Sequence, residues 1–268
     1  MIDWVMFRSL WQFRGFMLGA VQREFQGRYQ GSMLGGVWAV LNPLTMIIIY
    51  TLVFSQIMGA RLSGHEDSMF AYSIYLCAGL LPWTLFAELL ARLNSVFLEN
   101  SNLIKKAQLP RACLPVIVVL SALLNFVIVM GLFFLFLAVT HNLPGWPLLL
   151  AFPLIITLQL AFTLGLGIIL GTLNVFFRDV GQFTGIILQF WFWLTPIVYV
   201  PNILSPEAQK LFALNPMWPM VNAYQTIFVE HRFPDGGPLI PVVLLSLALL
   251  LLAAKIFLAR VGEIVDEL

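Results

Sequence analysis

The sequence predicts an all-α membrane protein built as one transmembrane domain. Three observations carry that expectation. Sixty per cent of the residues are apolar and 10% charged, with a mean hydropathy of +0.93, well outside the range of soluble domains. Charge-free runs of helix length recur along the chain. Lysines and arginines gather where those runs would meet the cytoplasm. At about 20 residues per crossing, the 268 residues hold roughly six spans. The expected division is an N-terminal amphipathic interface helix over residues 1–30 and a six-helix transmembrane domain over residues 31–268. A net charge of +1 without a dense basic cluster gives no sign of a nucleic-acid partner.

Residues 1–28 carry Arg8, Arg14 and Arg23 among Trp4, Phe7, Trp11, Leu18, Val21 and Phe25. The apolar members recur at helical steps, the charges are too frequent for a span, and no signal-peptide cleavage site follows. The segment reads as a helix in the headgroup layer, serving as an anchor for the first span or as a gating or partner contact. Span one is expected over Leu34–Met58, kinked at Pro43, and span two over Met69–Phe97 with Pro82 inside it. Glu88 and Arg92 are spaced to meet on one face of span two, and read as a local structural pair near its inner end, with a transport site as the alternative.

Glu99–Pro115 interrupts the apolar pattern. Asn100 or Ser101 can cap a short helix at about 100–110, Lys105 and Lys106 suit its last turn, and Pro110 stops it. This is an ordinary basic loop or a docking element for a soluble partner. Spans three and four follow over Pro115–Val139 and Pro147–Val175, joined by a turn at His141, Asn142, Pro144 and Gly145. Gly165, Gly167 and Gly171 offer small surfaces for close helix approach. Cys77 and Cys113 fall towards opposite membrane faces and are expected to be buried and unbonded.

Span five is expected within Phe176–Tyr199, entered at Arg178 and Asp179, with Asp179 and Gln182 spaced as a capping box. It ends in the aromatic run Phe190–Trp193 and breaks at Pro196. The region 200–236 is broken by prolines yet charge-free from Phe212 to Val229. Short re-entrant helices in the outer leaflet fit both facts, provided their backbone is buried in protein or lines a wet cavity. Span six runs over Leu239–Leu258. With both termini cytoplasmic, all of the 14 Lys and Arg except Arg61, Lys210 and Arg232 lie on or near the inner side. No internal repeat is evident, which argues against the inverted-repeat carriers.

Five of the six expected spans contain no ionisable group at depth, so an ion-coupled carrier does not fit. Paired carboxylates, metal clusters and activated nucleophiles are missing from the spans, which argues against catalysis. No GxxxxGK[ST] loop is present, so energy for uphill transport must come from another subunit. Trp191, Trp193 and Tyr199 taken singly read as an interfacial belt. Taken with the re-entrant region, their flat faces suit stacking on sugar rings.

Three stretches carry a family resemblance: RYQGSMLGGVWAVLNPLTM at Arg28–Met46, LIKKAQLPRACLP at Leu103–Pro115, and FFRDVGQFTGIILQFWFWLTPIVY at Phe176–Tyr199 with the later LNPMWPM. In these the chain resembles the permease subunit of polysaccharide-exporting ABC transporters, which move lipid-linked O-antigen, capsular polysaccharide or teichoic acid. The resemblance implies a multi-pass protein of the cytoplasmic (inner) membrane, working as a homodimer with two copies of a separate ATP-binding subunit. ATP and magnesium would be held by that partner, with no cofactor in this chain, and the glycan would pass between the two permeases among membrane lipids. Carried onto this sequence, Asn102, Leu103, Lys105, Lys106, Leu109 and Arg111 would form the ATPase-docking coupling helix. Arg178 and Asp179 would be an ion pair at the inner mouth, and Trp38, Tyr50, Trp191, Trp193, Tyr199 and Tyr224 would line the glycan path or its outer gate. The same architecture could instead export a drug or lipid, and a membrane enzyme or assembly factor acting on lipid-linked sugars is a further alternative.

Overall fold

The computed structural model describes residues 8, 10–53, 70–106, 110–203, 205–260, 262, 263 and 267. Every regular element among them is helical. Helix α1 covers Arg14–Tyr29. A 3-10 turn at Gly35–Val37 opens α2, Trp38–Tyr50, which keeps Pro43 inside it. The long helices α3 (Ala71–Glu99) and α5 (Cys113–Val139) flank the short α4 (Ser101–Lys106). Then come α6 (Trp146–Phe176), α7 (Asp179–Trp193), α8 (Pro206–Phe212), α9 (Met217–Phe228) and α10 (Leu239–Arg260).

Local chemistry explains several boundaries. Pro147 stands in the first turn of α6, where a missing N–H costs nothing. Ser205 caps α8 by accepting from the Ala208 N–H at 3.3 Å. At the end of α5, His141 adopts φ 56° while the N–H groups of His141 and Asn142 return to the carbonyls of Ala138 and Leu137. That is a Schellman closure with histidine in the place usually taken by glycine.

Among the described residues, five helical stretches are long and apolar enough to cross a membrane: Gly35–Val53, Ala71–Glu99, Cys113–Val139, Leu148–Phe176 and Leu239–Arg260. The expected span five differs. Its helix stops at Trp193 after 15 residues, a length of about 22 Å against roughly 30 Å of hydrocarbon. Pro196 cannot continue it, and the chain from Leu194 to Tyr199 turns through bends instead. The capping box is not formed either. The N-cap is Arg178 without a side-chain bond, and Asp179 lies within the first turn, where a carboxylate still suits the helix dipole.

Helix α3 is the buried centre of the bundle, whereas the stretch Gly35–Val53 that contains α2 is mostly exposed. It packs on α5 and α6, and α6 packs in turn on α10. The three glycines of α6 make those contacts close, as expected. A Cβ at Gly165 would stand 2.8 Å from the Leu249 backbone of α10, and one at Gly171 would stand 2.4 Å from the Leu93 carbonyl oxygen of α3. Gly167 lies against the Leu93 side chain, 2.6 Å from where its own Cβ would be. Cys77 and Cys113 are buried and unbonded. The end of span one beyond Val53 and the expected outer Arg61 lie outside the described residues.

Candidate functional site

At one end of the bundle α3 passes through Asn100 directly into α4. The Asn100 carbonyl accepts from the Leu103 and Ile104 N–H groups at 3.0 Å, and its side-chain amide donates to the Val96 carbonyl at 2.8 Å. These bonds fix the angle at which α4 leaves α3. Asn102, Leu103 and Lys105 are exposed on α4, Lys106 is its last residue, and Arg111 is half-buried beyond it. Leu109 lies outside the described residues. Between α4 and α1 runs a groove of about 570 Å³ whose lining includes Phe16, Arg23, Arg92, Asn100 and Leu103.

A network of charges underlies that groove. Helices α1, α3 and α5 each present two polar side chains four residues apart: Glu24 and Arg28, Glu88 and Arg92, Ser121 and Asn125. Glu24 Oε1 lies 2.7 Å from Arg92 Nη2 and 3.2 Å from Arg28 Nη2. Glu88 Oε1 lies 2.9 Å from Arg28 Nη2 and 3.5 Å from Arg92 Nη1. The second oxygen of each acid accepts from α5, Glu24 Oε2 from the Ser121 hydroxyl at 2.8 Å and Glu88 Oε2 from the Asn125 amide at 3.4 Å. Burial works against the Glu24 carboxylate, but the Ser121 bond and the two arginines outweigh it and hold its pKa below the ordinary 4.5. Arg28, also opposed by burial, is raised by its bond to Glu88 and by the two negative charges. The local Glu88–Arg92 pair does form, as the longest of the four ion contacts. The contribution of α1 was missed from sequence, although Glu24 and Arg28 repeat the spacing and order of Glu88 and Arg92.

The expected inner-mouth pair is not formed. Arg178 and Asp179 are both exposed, and among the described residues no ion pair joins them. Neighbouring side chains on a helix point in different directions. The nearby anchor is neutral: the Asn174 amide donates to the Asn94 carbonyl of α3 at 2.9 Å, and its oxygen accepts from the Gly181 N–H of α7 at 3.0 Å.

At the other end of α7 the expected aromatics separate. The Trp191 ring packs edge-on against Phe86 at 5.1 Å between centroids and lies near Trp83 and Phe162, while Trp193 is 63% exposed. Tyr199 is half-buried, its hydroxyl donating to the Trp193 carbonyl at 2.7 Å. Trp38 is exposed on α2 and Tyr50 half-buried. Tyr224 requires correction as a lining residue. It is 0% exposed, inside the core, and donates to Gln159 Oε1 at 2.9 Å, whose amide in turn donates to the Pro82 carbonyl at 2.7 Å.

Asn215, between α8 and α9, satisfies all four positions of its side-chain amide. Its oxygen accepts from Trp191 Nε1 at 2.7 Å and the Met217 N–H at 2.9 Å. Its nitrogen donates to the Leu194 carbonyl at 3.0 Å and the Thr195 hydroxyl at 2.8 Å. The bends after α7 are also held from α3, by the Tyr72 and Tyr75 hydroxyls donating to the Val198 and Tyr199 carbonyls at 2.6 and 3.0 Å.

Residues 17–229 match the sequence pattern of the ABC-2 type transporter family. The chain belongs to the ABC-2 type transporter family. The ABC-2 match takes in the charge network, α4 and the Asn215 turn, and ends just before α10. Among curated relatives of this ABC-2 chain, the O-antigen export system permease protein RfbA of Myxococcus xanthus is 34% identical over 263 residues, 97% of this chain and 98% of the relative. Two proteins of the same name from Klebsiella pneumoniae are 31% and 30% identical over 208 residues, 78% of each chain.

Proposed function

We propose that this chain is the membrane-spanning permease of an ATP-driven exporter that moves a lipid-linked polysaccharide, of the O-antigen kind, across the cytoplasmic membrane. The full-length likeness to an O-antigen export permease carries this reading. The chain has no phosphate-binding loop of the GxxxxGK[ST] type, so hydrolysis of ATP with magnesium is assigned to two copies of a separate ATP-binding subunit. The exposed Asn102, Leu103 and Lys105 of α4 suit docking to it.

Six crossings with cytoplasmic termini complete the proposed topology. From Gly181, tied through Asn174 to Asn94, to Val198, tied to Tyr72, the chain runs beside 22 residues of α3, about 33 Å of helix. The short α7 and the bends after it therefore cover the height of a bilayer core together. Helices α8 and α9 form a re-entrant hairpin with its tip at Asn215. Met217 and Met220 share a buried cluster with Trp83, Phe86 and Phe162, while Phe228 meets Phe133 and Phe152 near the ends of α5 and α6.

A second copy of the chain is proposed to face α7. Phe183, Phe190 and Trp193 are exposed together with Gln182 and Gln189. Glutamines on a spanning segment need polar partners that lipid does not offer. A wet path between two permeases supplies them, with aromatic faces for sugar rings. Deleting the gene tests the reading: surface glycan should be lost while lipid-linked polymer accumulates on the inner side. Normal surface glycan in the deletion strain overturns it.

A further inference from the structure

We infer that Glu24, Arg28, Glu88 and Arg92 form a charge lock that makes α1 and the α3–α4 arm one moving part, positioning residues for the coupling of ATP hydrolysis to export. The inference rests on the proposed transporter reading. Its geometry is that of a closed square. Glu24 meets Arg92 while Arg28 meets Glu88, the order of antiparallel helices, and each acid shares one oxygen between both arginines. Four charges of alternating sign cancel, so the square can sit at 24–34% side-chain exposure without a stranded ion.

A register shift of either helix would break the two cross pairs together, and it would also strip Ser121 from Glu24 if α1 moved or Asn125 from Glu88 if α3 moved. Isolated exposed pairs do little for stability. A network closed on three helices instead selects one arrangement of them. That arrangement has a mechanical output. Arg92 lies seven residues before Glu99, the last residue of α3, and Asn100 then clamps α4. A push on α4 is thereby shared with α1 and α5 and cannot be absorbed by hinging between them. Arg92 Nη1 is buried without a hydrogen-bond acceptor, so its charge depends on the two carboxylates.

The test uses the full transporter, permease with its ATP-binding subunit, in nanodiscs and proteoliposomes. Both native cysteines are buried, so spin labels can be directed to cysteines introduced at the exposed Gln22 of α1 and Ala91 of α3. The expected result is one narrow distance distribution, unchanged between nucleotide-free and vanadate-trapped complexes. Glu24→Arg alone should broaden it and reduce transport per ATP hydrolysed by about tenfold. Glu24→Arg with Arg92→Glu returns the cross pair but leaves like charges along the 24–28 and 88–92 edges, so it should recover both in part, which a general packing defect would not do. If Glu24→Arg fails to assemble, Glu24→Gln with Arg92→Gln removes one cross pair without a stranded charge and should still broaden the distribution. A wild-type distance that changes on trapping, or a charge reversal no better than the single variant, overturns the lock. The distances do not depend on cargo, so failure to move polysaccharide in wild type would sink the transport reading and leave the lock to be judged separately.

Discussion

The Trp191 indole nitrogen donates to Asn215 Oδ1 over 2.7 Å, tying the last turn of α7 to the turn between α8 and α9. Replacing Asn215 with leucine removes four bonds at once. Each buried polar group left without a partner costs ~1–3 kcal/mol. Asn215→Leu should lower the unfolding temperature in detergent and shift the tryptophan emission, both read by fluorescence on heating. Asn215→Asp should be milder, since it keeps the two acceptor contacts.

Trp191 and Trp193, two residues apart, should behave oppositely. Trp191→Ala opens a cavity beside Trp83, Phe86 and Phe162, at a cost of ~3 kcal/mol. Trp193 is exposed, so Trp193→Ala should leave the melting temperature within a degree or so of wild type, by the small effect expected at exposed positions. If Trp193 meets glycan, export by that variant falls at unchanged protein level; unchanged export removes it from the path.

Gly171→Ala should destabilise the bundle by ~1–3 kcal/mol. The added Cβ would meet the Leu93 carbonyl, a backbone atom of α3 that cannot rotate away. Gly185→Ala on α7, where a Cβ meets nothing, is the matched control. Thermal unfolding of the two variants side by side checks the difference.

The docking of α1 should depend on pH only in acid. The Glu24 pKa is depressed in the fold, so its contribution is complete above the ordinary 4.5 and is lost as pH falls through the lower folded value. Hydrogen exchange of the α1 amides, corrected for intrinsic rates, should be flat from about pH 8 to about pH 5 and accelerate below 4.5. Glu24→Gln should abolish that acid limb.

Lys105→Glu with Lys106→Glu reverses two charges on the proposed docking helix. Export should fall while the ATP-binding subunit continues to hydrolyse ATP without cargo-dependent stimulation. Unchanged export and stimulation would remove α4 from the ATPase contact.

Much of the fold was readable because apolar periodicity and breakers act locally. Pro110, His141 and Pro196 mark boundaries through their own backbone preferences, and the glycines of α6 announce close packing because membrane helices have few other reasons to carry three. What escaped were relations between distant segments. Glu24 and Arg28 show their own spacing, but nothing local says that Arg92 stands opposite them. Asn215 looks like any turn residue until the chain brings Trp191 and Leu194 to it. Tyr224 fails as a lining residue for the same reason: an aromatic in a proline-broken region can face a path or the core, and only its bond to Gln159 decides. The end of α7 was legible at Pro196, but that its helix covers only 15 residues and is followed by bends was not, because hydropathy continues smoothly past Trp193.

The glycine contacts of α6 divide the molecule into a frame and the helices around it. With Leu93 of α3 and Leu249 of α10 seated on α6 at backbone distance, these three helices cannot slide or separate without breaking contacts along their length, so they move as one rigid frame. The thinly packed α2 and the exposed α7 lie outside that frame, α7 held to it through Gly181 at one end and to the Asn215 turn at the other. A passage wide enough for a bulky cargo cannot open between the three framed helices, so it has to form along the surfaces that they leave to the other helices.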